Sequence, residues 1–123
     1  YPVLGDLKFR TKNEIHHARD LMLAYKNLEF DSVFAVEDGL AVAALKYAKV
    51  KGISVPEELS VVGYNNSPLS VSCEPELTSV DSRIEQQCYI AVENIVKVLE
   101  GNTEVSHRTI VPCKIVKRCT TDF

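Results

Sequence analysis

Residues 55–80, VPEELSVVGYNNSPLSVSCEPELTSV, place a turn, an apolar strand and a polar strand end in one short stretch, and few architectures accept that order. Val55-Pro56-Glu57-Glu58 forms a turn that feeds the apolar run Leu59-Ser60-Val61-Val62. At the end of that run Gly63 permits a sharp backbone turn, and Asn65 and Asn66 substitute amides for apolar side chains;. The carboxyl ends of strands are where ligands meet a parallel sheet, so the chemistry of the chain is expected at this point.

The rest of the chain supplies the other parts of such a sheet. Residues 1–7 begin as a strand, and Thr11-Lys12-Asn13-Glu14 has the form of a capping box that opens a helix to about Tyr25, with Ile15, Ala18, Met22 and Tyr25 as its inner stripe;. Residues 32–36 are short, apolar and β-branched, which suits a parallel strand buried on both faces;. Asp38 then serves as N-cap of a second helix over 40–51, with Ala41, Ala44, Leu45 and Ala48 inward and Gly52 as its left-handed cap;. After strand 59–64 and a loop to Glu76, residues 77–80 are extended. Ser82-Arg83-Ile84-Glu85 is a second capping box, opening a helix to Glu100 whose apolar stripe runs through Ile84, Cys88, Val92, Ile95 and Leu99;. Residues 108–119 read as one or two strands around Pro112;. Strands alternating with helices across short connections imply right-handed crossovers and a parallel α/β sheet.

Several function classes are disfavoured. At 123 residues the chain has room for one core;. Its net charge of −3 and the absence of a basic run longer than Lys117-Arg118 argue against direct contact with a phosphate backbone;. No stretch approaches the ~20 apolar residues that span a bilayer, and Tyr1-Pro2-Val3 does not open a secretion signal, so a cytoplasmic protein without membrane contact is expected;. Cys73, Cys88, Cys113 and Cys119 follow neither metal-site nor disulfide-scaffold spacing, which suggests free buried thiols, with Cys88 as a small core residue;. His16, His17 and His107 lack partners at ligand spacing. The five glycines are dispersed and spell no phosphate cradle;. Glu37-Asp38 is the one acidic pair at a strand end, and a capping role for Asp38 outweighs catalysis, so no enzyme, cofactor or metal is expected;. Asn65-Asn66-Ser67 matches a glycosylation sequon of a length that arises often by chance;.

Four motifs in order, the valine-proline-acidic turn at Val55, the strand ending in Gly63-Tyr64, the step Pro75-Glu76-Leu77-Thr78, and the closing Lys117-Arg118-Cys119-Thr120-Thr121, together with Phe34-Ala35-Val36-Glu37-Asp38, resemble the effector-binding domain of lactose/galactose-repressor (LacI/GalR) transcription regulators. The resemblance runs from about Val3 to Thr121. It implies an α/β, periplasmic-binding-protein-like lobe with a parallel sheet and flanking helices. It also implies a fragment, lacking the DNA-reading module and the first lobe. On that reading residues 1–81 are second lobe, 82–104 a crossover helix that the family places in the first lobe, and 105–123 the returning strands.

What the resemblance implies for function follows residue by residue. Three strand-end loops would face a small effector, a sugar or sugar phosphate. Leu7 or Phe9 stands where the family offers an aromatic side chain, Glu37 where it has asparagine, Asn65 where an aspartate takes ligand hydroxyls, and Ser82 where some members extend a glutamine. Asn65 both accepts and donates but carries no charge, while Glu37 adds a carboxylate. A homodimer through the second lobe would use Val42, Leu45 and Lys46 with the loop that includes Leu69 and Cys73; taken alone, Val42 and Leu45 serve equally well as core. Operator DNA would be reached only through the module that this chain lacks. The rival reading is an exported solute receptor of a sugar uptake transporter, which shares the architecture.

Overall fold

A computed structural model describes residues 15–24, 30–102, 105–106 and 108–123. Its elements in chain order are α1 (Ile15–Ala24), β1 (Ser32–Phe34), α2 (Asp38–Lys51), β2 (Ser60–Tyr64), α3 (Leu69–Ser72), β3 (Thr78–Asp81), α4 (Ile84–Leu99) and β4 (Lys114–Val116). The strands form one sheet in the order β1-β2-β3-β4. The first three run parallel, with Val33 opposite Val61 and Val62 opposite Thr78, and β4 closes the sheet antiparallel to β3. The expected α/β class is therefore observed, as a mostly parallel sheet.

The core lies between α2 and the sheet. Four inward positions of α2, Ala41, Ala44, Leu45 and Ala48, are buried, and three of them are alanines, which lets the helix axis lie close over Leu59, Val61 and Leu77;. Tyr47 stacks on Phe30 with ring centroids 5.9 Å apart. Ala18 and Met22 of α1 are buried where that helix packs on α2. The α1 capping box, the strand expected over 1–7 and Tyr25 lie outside the described residues. At the far end of α2, Gly52 takes φ 69° and its N–H reaches Ala48 O and Lys49 O, the left-handed cap that its place after Lys51 predicts;.

The carboxyl-terminal threonines form a seam between β2 and β3. Thr120 O accepts the Val61 N–H at 2.9 Å, Thr120 Oγ1 donates to Val61 O at 2.6 Å, and the same hydroxyl accepts the Thr78 N–H at 2.9 Å. Thr121 Oγ1 meets Thr78 Oγ1 at 2.9 Å, and Cys119 N–H donates to Glu76 O. Thr120 and Thr121 are buried, and both hydroxyls enter the interior already paired;.

Several expectations are corrected. β1 ends at Phe34, and Phe34 and Val36 are exposed, because β1 is the edge of the described sheet rather than a strand covered on both faces. α3 forms where a loop was expected. One helix stands apart from this core: no residue of α4 is buried, and Ile84, Val92, Ile95, Val98 and Leu99 all face solvent, so the sheet leaves its apolar stripe uncovered. Cys88 is exposed with it, as are Cys113 and Cys119, while Cys73 is half-buried; all four thiols are free.

Candidate functional site

The expected site is the end of the sheet where β2 runs into residues 65–67. The turn here is not made by Gly63, which stays within β2; Asn65 at φ 92° and Asn66 at φ 48° make it. Side-chain-bearing residues adopt the left-handed region only when their surroundings hold them there. Those surroundings are specific. Asn65 N–H donates to Val80 O at 2.8 Å, Asn66 N–H to Ser79 Oγ at 3.0 Å, and Ser67 N–H to Asp38 Oδ2 at 2.6 Å.

Asp38 is the centre of this arrangement, and its role differs from the expected one. The N-cap position belongs to Glu37, which makes no side-chain capping bond, and Asp38 is the first helical residue. Its carboxylate turns inward, only 2% exposed, and accepts from both Ser67 N–H and Ser79 Oγ, the latter at 2.6 Å. Gly63 makes room for it: a Cβ on Gly63 would lie 2.3 Å from Asp38 Oδ1 and 2.8 Å from Leu77 Cδ2. Asp38 thus joins α2, β3 and the loop after β2, and that is why an aspartate and a glycine occur where they do.

Of the expected contact residues, two are brought together. Ser82 is buried after β3 and donates its hydroxyl to Asn65 Oδ1 at 3.3 Å. This corrects the capping box proposed for α4: the N-cap is Arg83 at φ 55°, without a side-chain capping bond, and Ser82 instead serves the Asn65 loop and accepts a short hydrogen bond from Gln87 Nε2 on its carbonyl. Glu37 is half-buried one residue before Asp38, at the mouth of α2. Leu7 and Phe9 lie outside the described residues.

The dimer residues divide. Val42 and Leu45 are buried within the chain, Leu45 in the central cluster, so they belong to the core and not to an outer face. Lys46 and Leu69 are exposed. Cys73 is half-buried, its thiol directed at Ser70 O and Pro75 O, and burial pushes that thiol above its ordinary range.

Three participants carried no assigned role in the sequence reading. Asn66, Ser67 and Arg118 shape the loop: Arg118 donates to Asn66 Oδ1 at 2.7 Å, and Ser67 Oγ is buried without a hydrogen-bond partner among the described residues. Arg118 was visible as part of the closing basic-threonine motif, but nothing in its spacing pointed across the sheet to Asn66. Among the described residues no group of three or more His, Cys, Asp or Glu could hold a metal ion, and no helix is long and apolar enough to cross a membrane.

The sequence and the fold of this chain both have counterparts among known proteins. A family model described as a periplasmic binding protein-like domain matches residues 6–121. An HTH-type transcriptional regulator of Lachnoclostridium phytofermentans is 35% identical over 99% of this chain and 37% of its own length. A ribose operon repressor of Halalkalibacterium halodurans is 32% identical over 74% of this chain and 28% of its own. Among solved structures, a LacI family transcriptional regulator from Arthrobacter in complex with lactose superposes with a TM-score of 0.78 at 27% identity, over 89% of this chain and 42% of that one. The chain therefore spans roughly a third of the curated relatives it matches. These relatives are regulators, which favours that reading over an exported receptor. The chain belongs to the periplasmic binding protein-like domain family and corresponds to part of the effector-binding domain of LacI/GalR-type transcription regulators.

Proposed function

We propose that this chain is the part of a bacterial transcription regulator that senses a small polyhydroxylated effector, and that it performs no catalysis. The carrying observation is the loop at 65–67: two successive asparagines in left-handed backbone, tied to buried Asp38, Ser79 and Ser82, set an amide at the end of the sheet. An amide that both donates and accepts suits a sugar hydroxyl, which does the same. Glu37 would take a second hydroxyl as an acceptor, and Leu7 or Phe9 would supply an apolar wall. The lactose complex of the Arthrobacter regulator supports the choice of ligand class.

In this reading residues 1–81 and 105–123 belong to one lobe and 82–104 cross to the other. Ligand closes the two lobes, and closure alters operator binding through a separate DNA-reading module, because the ligand prefers one of two conformations. The regulator would act in the cytoplasm as a homodimer, with Lys46, Leu69 and Cys73 rather than the buried Val42 and Leu45 at the contact. Titrating ribose and lactose into an isotopically labelled regulator that carries this segment tests the site: shifts should concentrate at the amides of Asn65, Ser82 and Glu37. Shifts confined to α4, or none with any sugar of a wider panel, would remove this loop from ligand recognition.

A further inference from the structure

The Arg118 side chain performs a task separate from the threonine seam beside it. Its guanidinium Nη1 donates to Leu77 O and Nη2 to Asn66 Oδ1, each at 2.7 Å, while its backbone N–H holds Thr78 Oγ1 at 2.8 Å. The backbone bond secures the sheet whatever the side chain is; the guanidinium reaches the loop. A guanidinium only donates, so Asn66 must turn its amide oxygen towards Arg118, and that fixes which way the amide faces. Ser70 Oγ reaches the same oxygen at 3.4 Å, and Arg118 provides the shorter, charge-assisted bond;. Asn66 stands at φ 48° and its neighbour Asn65 at φ 92°, conformations that persist only while something holds them;.

We infer that Arg118 is a positioning residue for ligand recognition: by clamping Asn66 it presents the adjacent Asn65 amide in one orientation, so the segment that follows β4 sets the geometry of the loop after β2. The inference rests on the ligand-binding reading of Asn65 given above. Lysine cannot replace the clamp, because one ammonium lacks the planar fork that spans Leu77 O and Asn66 Oδ1 together.

The test uses the chain itself, with Arg118→Lys and Arg118→Met. Amide hydrogen exchange at Asn65, Asn66 and Ser67 should quicken about tenfold in Arg118→Met and less in Arg118→Lys. The amides of Val61 and Thr78, held by Thr120, should keep their protection. In a regulator that carries this segment, Asn65 and Ser82 shifts on adding ribose or lactose should weaken in the same order. Equal acceleration at Val61 and at the loop would make Arg118 a general staple of the sheet and overturn the inference, as would unchanged exchange at the loop. Sugars that leave an unsubstituted regulator carrying this segment unperturbed would count against the ligand reading, whereas the exchange measurement judges the clamp without any ligand.

Discussion

At the scale of single residues, the site is explained by how closely Asp38 approaches the sheet. The sequence reading took Gly63 as the residue that permits a sharp turn, but Gly63 stays within β2, and the space a side chain would need is filled by Asp38 Oδ1 and Leu77 Cδ2. Gly63→Ala should therefore force Asp38 away or overpack Leu77, at roughly 1–3 kcal/mol. Thermal melts should show a drop of several degrees, and an unchanged midpoint would mean that α2 shifts without cost. The amide of Asn65 was legible because an asparagine after glycine-aromatic at a strand end has no core role to play. The part played by Ser79 was not, since a serine inside a strand looks the same whether or not it supports a buried carboxylate. Losing a hydrogen-bonding ligand contact costs about 1–3 kcal/mol, so Asn65→Ala in a regulator carrying this segment should weaken effector binding about five- to 150-fold by calorimetry. Equal affinity would exclude Asn65 from the site. Cys73, its thiol raised by burial, should react with iodoacetamide at pH 8 more slowly than exposed Cys88 and Cys119; equal rates would show that the α3 region opens readily;.

At the scale of elements, the joints matter more than the elements themselves. Thr120 is the joint between β2 and β3: its hydroxyl accepts the Thr78 N–H and donates to Val61 O inside the core. Thr120→Val keeps the shape and removes the hydroxyl, leaving the Thr78 N–H buried without a partner, at about 1–3 kcal/mol. Urea denaturation should register the loss, and Thr120→Ser should recover most of it; if valine were as stable as threonine, water would have to replace the hydroxyl. Helix periodicity and cap chemistry made α2 and its glycine stop legible, because alanine spacing and a left-handed cap are local properties. The start of α4 was misread for the opposite reason. Ser82 has the local form of a cap, yet a partner 17 residues away in sequence, Asn65, takes its hydroxyl. Burial of β1 was also overestimated, since an apolar run signals a strand but not how many neighbours cover it. Long-range partners decide these cases, and a sequence window does not contain them.

At the scale of the whole molecule, the chain has two unequal parts. One is a packed unit of sheet, α1, α2 and the threonine seam; the other is α4, which carries an apolar stripe and buries none of it. An exposed stripe of this size forgoes several kcal/mol at about 25 cal/mol per Å², and such surfaces drive association. In the proposed two-lobe reading the other lobe would cover it. The isolated chain should therefore self-associate as its concentration rises, through α4. Ile95→Asp should reduce the weight-average mass in sedimentation. It should leave the melting temperature at low concentration unchanged, because Ile95 is exposed and supports nothing in the packed unit. A drop in melting temperature would show that α4 does pack on its own sheet in solution. Association that survives Ile95→Asp would move the contact to the surface around Lys46 and Leu69, where a charge reversal at Lys46 should then break it.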